Sequence, residues 1–144
     1  MLKENIPDSD RVNRLILKPR MIIDDSFIWG AVFEFPGNLY ESVVWSKYAP
    51  SADDVHKHGH QLAAKVQTRR PDAAYVGYLE AIVGDVRSYR SAKEHGFKVE
   101  HYPEEGEHHA GVAYDQNEAQ TFTSLEKNEL KLALKKIFAN FVKC

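Results

Sequence analysis

The stretch Phe97-Lys98-Val99-Glu100-His101-Tyr102-Pro103-Glu104-Glu105-Gly106-Glu107-His108-His109-Ala110-Gly111-Val112-Ala113-Tyr114 decides how this chain is read. Its two ends, Phe97 to Tyr102 and His109 to Tyr114, are short runs with strand character. The residues between them are polar and contain Pro103 and Gly106, the chemistry of a turn. A hairpin built this way is expected to bring His101 and His109 near each other, since cross-strand neighbours sit about 5 Å apart. Glu104, Glu105, Glu107 and His108 would crowd the same rim. Imidazole titrates near neutral pH and is the commonest metal ligand, so this rim is where chemistry is sought first.

Working outward, Ala73 to Val83 (AAYVGYLEAIV) is rich in β-formers and apolar on both sides except for Glu80, the pattern of a central strand. Arg11 to Lys18 reads as a strand stopped by Pro19. From Phe27 to Phe35 the apolar residues Trp29, Ala31, Phe33 and Phe35 alternate, and Leu39 to Ser46 alternates again after Pro36-Gly37-Asn38. That pair is expected to form a second hairpin.

Three helices are expected. Ser51 with Asp54 three residues later forms a capping box, and Val55, Gly59, Leu62 and Val66 make one stripe as far as Arg70 and Pro71. Gly59 inside that stripe predicts close approach to a sheet, because glycine there costs about 1 kcal/mol against alanine. Asp85 is expected to cap a short helix ending at Gly96. Thr123 with Glu126 starts the last helix, whose stripe Leu130, Ala133, Leu134, Ile137, Phe138 and Phe141 runs on without a break. Residues 1–10 read as a flexible lead-in, 11–144 as one domain, and 115–122 as irregular. The expected class is α+β: an antiparallel or mixed sheet of about five or six strands, covered by two main helices and one short one.

Composition narrows the function classes. Nineteen basic residues against 21 acidic give a formal charge of −2, which argues against a nucleic-acid partner and its phosphate-tracking basic face. Arg69, Arg70, Arg87, Arg90 and Lys93, with Tyr75, Tyr78 and Tyr89, are the basic residues that would serve one; ordinary solvated charge is the first reading. The single cysteine, Cys144, allows no intrachain disulfide. The N-terminal residues offer no apolar stretch for a signal peptide, and no run is long enough to span a bilayer. A cytoplasmic protein without membrane contact is the expectation.

Six of the seven histidines lie in two groups, His56, His58 and His60 on the helix and His101, His108 and His109 in the hairpin. His56 and His60 share a helix face, but the glutamate of the zinc-protease pattern is missing from the intervening Lys57, His58 and Gly59. In the hairpin, His101, His108 and His109 are the candidate catalytic residues, with His101, His109 and Glu107 the candidate metal ligands. A divalent ion is conceivable there, and no cofactor at all is the first expectation. Arg87, Tyr78 and Trp45 are the candidate binding residues.

The order Arg14-Leu15-Ile16, Asp24, Gly30-Ala31-Val32-Phe33, Pro36, Ser42-Val43, Val99, Pro103 and Glu107-His108-His109-Ala110-Gly111-Val112 resembles small uncharacterised bacterial proteins that close on a Pro-to-His-Ala strand motif. The resemblance implies a bacterial, cytoplasmic origin, brings His109 forward and carries no activity with it.

Three functions are expected, in this order. The first is a non-enzymatic interaction or regulatory module, with a protein partner or a second copy of the chain. The second is a small His/Glu hydrolase, metal-dependent or acid–base, acting on RNA or a nucleotide. The third is a small-molecule sensor with a pocket between sheet and helix lined by Trp29, Trp45 and Tyr78.

Overall fold

A computed structural model describes residues 1–35, 40–115 and 122–144. The strand runs assemble into one six-stranded antiparallel sheet. In chain order the elements are β1 (Arg11–Lys18), β2 (Ile22–Ile23), β3 (Ser26–Phe27), α1 (Trp29–Val32), β4 (Glu41–Trp45), α2 (Ala52–Gln67), β5 (Ala74–Ile82), α3 (Val83–Ser88), β6 (Phe97–His101), β7 (His109–Tyr114), α4 (Ser124–Ile137) and β8 (Asn140–Lys143). The sheet order is β6-β7-β4-β1-β5-β8, and β2 and β3 form a separate small ribbon. The class is α+β, as expected.

The sheet has two unlike faces. On one, Val12, Ile16, Val43, Trp45, Leu79, Ala81, Val99, Ala110 and Val112 meet Leu130, Leu134 and Phe138 of α4, together with Val32 and Val86, in the main core. On the other, Leu15, Leu17, Val44, Tyr75 and Tyr78 meet Val55 and Ala63 of α2. Strand alternation sends consecutive residues to opposite faces. A bulge where β1 meets β5 breaks that rhythm, which leaves Tyr75 and Tyr78, three apart, on the α2 face. Gly77, with φ of 152°, supplies backbone that a side chain would strain.

Several expectations hold. The β6–β7 hairpin pairs Phe97 with Tyr114 and His101 with Ala110. The α2 capping box is complete, Ser51 Oγ accepting from Asp54 N and Asp54 Oδ2 accepting from Ser51 N, each at 3.1 Å. At the start of α4, Thr123 Oγ1 accepts from Glu126 N.

Other expectations fail for local or long-range reasons. Trp29 to Val32 is a helical turn, not a strand, and β4 pairs with β1 and β7 instead of with residues 27–35. Trp29 and Phe33 stack at 6.3 Å, an i, i+4 contact that satisfies the same aromatic spacing. The turn expected at Pro36-Gly37-Asn38 and most of the 115–122 stretch lie outside the described residues. Helix α3 begins directly from β5, without a side-chain cap from Asp85, and ends at Ser88. Phe138 closes α4, so Phe141 belongs to β8 beside β5 rather than to the helix stripe.

The first ten residues are no loose lead-in. Ile6 is 3% exposed in the main core, Lys3 pairs with Glu100 and Glu4 with Lys47 and Tyr48. Arg87 completes the attachment, donating to Ile6 O at 2.6 Å, Asp8 Oδ1 at 2.8 Å and Val99 O at 2.8 Å. Arg87→Ala should therefore lower stability by about 1.5–3 kcal/mol, the worth of hydrogen bonds from a charged donor, and open residues 1–10 to proteolysis. Denaturant melts with limited digestion check both; an unchanged digestion pattern would mean the segment is held without it. Among the described residues no helix is long and apolar enough to cross a membrane.

Candidate functional site

The α2 face of the sheet is only partly covered. Helix α2 lies over β5 and β1. Further along, Tyr40 and Tyr102 stack at 4.3 Å over Gly111, where a β-carbon would meet both rings. Between α2 and the turn that follows β6, a cleft of about 830 Å³ remains. Leu15, Val44 and Leu62 supply its apolar surface. Ser42, His58, Gln61, Lys65, Glu104, Glu105, His108 and His109 supply its polar one.

Two imidazoles span the cleft. His58 of α2 and His108 of the turn stack face to face, with ring centroids 3.6 Å apart and planes within 19°. Burial pushes the His108 pKa down to about 4, helped by the positive charge that His58, His109 and Lys65 would place beside it. His58 is also lowered, first by burial, against the pull of Gln61, Asp54 and Glu107. Both rings are neutral at pH 7.

His109 sits beside them on β7. Its Nε2 lies 3.1 Å from Glu105 Oε2 and 3.1 Å from Ser42 Oγ, and Tyr40 donates to the same carboxylate at 3.4 Å. Burial lowers the His109 pKa although Glu105 alone would raise it. The physical reason is the imbalance of the pair: His109 is 12% exposed, while Glu105 is 56% exposed and screened by water.

His101 is not part of this site. Register places it opposite Ala110, one step from His109, so its ring points to the other face of the sheet. There it is fully buried against Trp45 and Tyr48. Its Nδ1 accepts from Glu4 N at 3.1 Å and its Nε2 donates to Glu107 O at 2.8 Å, which fixes the neutral tautomer and leaves no lone pair for a ligand. The expected catalytic trio thus separates into His108 and His109 in the cleft and His101 in the core.

The expected metal set of His101, His109 and Glu107 separates for the same reason. Among the described residues no group of three or more His, Cys, Asp or Glu side chains is arranged to hold a metal ion. His56 and His60 are likewise committed elsewhere: His56 Nδ1 lies 2.7 Å from Tyr75 Oη, and His60 stands edge-on to the Tyr75 ring with its Nε2 3.3 Å from Cys144 Sγ.

The expected binding residues do not converge either. Trp45 is in the main core with its Nε1 on Asp10, Tyr78 is buried on the opposite face, and Arg87 anchors the N-terminal segment. A pocket shared by Trp29, Trp45 and Tyr78 is ruled out because the sheet lies between Tyr78 and the two tryptophans. Of the basic residues considered for a nucleic-acid face, Arg87 pairs with Asp8, Arg90 with Asp115 and Lys93 with Glu126. Sequence reasoning passes over His58 and Ser42 as site residues, and over Gln61 and Lys65 altogether. On α2, residues 58, 61, 62 and 65 follow helical spacing, which is the one signal that could have grouped them.

Set against protein-family models, curated proteins and solved structures, the chain matches none. What the cleft can do is therefore argued from its own residues.

Proposed function

We propose that this chain is a non-enzymatic small-molecule-binding domain whose ligand sits between α2 and the turn after β6. The observation that carries the reading is the cleft itself, about 830 Å³ with apolar surface from Leu15, Val44 and Leu62 and a polar rim. Binding sites for small organic molecules fall at about 300–1,000 Å³ and combine these two kinds of surface. Neutral imidazoles at the rim donate and accept hydrogen bonds without the desolvation cost of a buried charge. The expected sensor pocket between sheet and helix is kept in kind, with different walls.

The hydrolase reading has one observation in its favour, the 3.1 Å contact of Ser42 with His109. Glu105 contests the same nitrogen, whereas a nucleophile–base–carboxylate relay uses both ring nitrogens. Ser42 also lies within β4, where Ser42 pairs with Gly111 in the ladder, and a strand interior spends its amides on its neighbours rather than on an oxyanion. Binding is the better supported reading.

A panel of small polar organic compounds, screened by thermal shift and followed by histidine-detected NMR, tests it. A true ligand at a hundred times its Kd should add about 2.7 kcal/mol of stability and shift His58, His108 and His109 but not His101. Gln61→Trp, an exposed helix position on the rim, should fill the cleft and weaken binding about tenfold or more, or 1.4 kcal/mol. Ligands that shift other residues, or bind Gln61→Trp as tightly, overturn the reading.

A further inference from the structure

We infer that the His58–His108 stack is a proton-operated clasp that ties α2 to the turn across this cleft at neutral pH and releases it in acid. The inference rests on the binding reading for its purpose, not for its existence. The geometry is direct: one ring belongs to α2, the other to the turn, both line the cleft, and at 3.6 Å they are in face contact. Neutral rings keep their dispersion contact in that arrangement, whereas two imidazolium ions would be like charges in face contact.

The surrounding charges decide the order of events. Asp54 of α2 and Glu107 of the turn face His58 and favour a proton there, and Lys57 opposes it. His58, Lys65 of α2 and His109 of β7 all oppose a proton on His108, while Glu105 and Glu104 face His109 rather than the stack. One proton on the pair is tolerable as a cation over a neutral ring. The second has no carboxylate among the groups facing His108 to receive it, so it arrives only as the stack parts. The two rings should titrate as a coupled unit, in steps separated by about one pH unit or more.

Opening then has a structural route. His108 follows the turn of Pro103–Glu105 and precedes β7, while α2 is fixed over β5 at Gly59. The His108 main chain is tied to β4, Trp45 N donating to His108 O at 2.8 Å, and Glu107 O accepts from His101 Nε2 at 2.8 Å, so what can swing from α2 is the His108 ring with the Glu104 and Glu105 part of the turn. Their separation from α2 would widen the gap between the Gln61 and Lys65 rim and the Glu104 and Glu105 rim.

The test uses ligand-free protein, so its failure is distinct from failure of the binding reading. Histidine-detected NMR from pH 7.5 to 3.5 should show His58 and His108 titrating in two coupled steps below the ordinary histidine range. Backbone shifts should be confined to residues 54–65 and 103–109. His108→Phe keeps an aromatic ring in the stack and removes its charge, so the backbone shifts that follow the coupled His58–His108 steps should disappear while the fold, checked by its melt, survives. His58→Phe, on a half-buried helix position, should do the same from the other side and serves if the first variant does not fold. Independent titration of both rings near 6.5, or backbone shifts with the same two coupled steps in either variant, overturns the clasp. A ligand bound in the cleft equally well at pH 7.5 and pH 3.5 also overturns it, and leaves the binding reading standing.

Discussion

Glu41→Ala should cost about 3–5 kcal/mol, the usual penalty for removing one member of a buried ion pair. Arg14 and Glu41 are 10% and 6% exposed and meet at 2.9 Å between β1 and β4. The guanidinium also donates from Nε to Val32 O at 2.9 Å and from Nη1 to Ser42 O at 3.0 Å. The carboxylate accepts from Phe35 N at 2.6 Å, holding a residue whose φ of 48° lies in the left-handed region. Truncating Glu41 leaves a guanidinium in the core, and burial already pushes the Arg14 pKa below its ordinary value. The paired substitution Arg14→Met with Glu41→Leu should recover part of the loss, because both desolvated charges go together. It should not recover all of it, since the Val32 and Ser42 carbonyls and the Phe35 amide lose a partner at about 1–3 kcal/mol for each that stays buried. Urea denaturation of Arg14→Met, Glu41→Leu and their double gives the coupling energy. A Glu41→Ala cost under about 1 kcal/mol would place the pair among solvated surface bridges and remove it from the core.

That pair also shows where sequence reading stops. Arg14 lies in a run read correctly as a strand, yet nothing local says that its charge turns inward to meet Glu41. Where the deciding information is local, the reading succeeds. The Ser51–Asp54 box, the Thr123–Glu126 cap, the Gly59 notch in the α2 stripe and the β6–β7 hairpin all depend on residues a few positions apart. Where two periods fit the same residues, it fails. Trp29 and Phe33 satisfy a strand and a helical turn alike, and Phe141 extends the α4 stripe although its backbone belongs to β8. The hairpin rim was legible as a concentration of acid and imidazole, and the turn does bring Glu104, Glu105, His108 and His109 to the cleft. Its register was not: pairing His101 with Ala110 instead of His109 sends one imidazole into the core, and a one-residue step is below what alternation alone resolves. His58 meets His108 only because α2 crosses the sheet at one angle, and no spacing in the chain encodes that.

Gly59→Leu should destabilise the protein by about 1–3 kcal/mol through overpacking, and Gly59→Ala is the sharper version of the same experiment. In an ordinary helix interior, alanine for glycine stabilises by about 0.5–1 kcal/mol. Here the sign should reverse. A β-carbon on Gly59 would overlap the ring of Tyr75. That ring has little room to yield: it is buried on β5, held at Oη by His56 Nδ1 at 2.7 Å and flanked by the His60 ring. Helix α2 must therefore rise from the sheet, uncovering Val55 and Ala63 of its packed stripe. Because α2 is one wall of the cleft, the same displacement should pull His58 from His108, moving both imidazole resonances at neutral pH while that of His101, on the far face, stays put. Tyr75→Val alongside Gly59→Ala should restore the contact in part, since the smaller side chain vacates the space the methyl needs. Gly59→Ala that raises the melting temperature would mean the helix stands off the sheet, and with it the cleft wall on which His58 is carried.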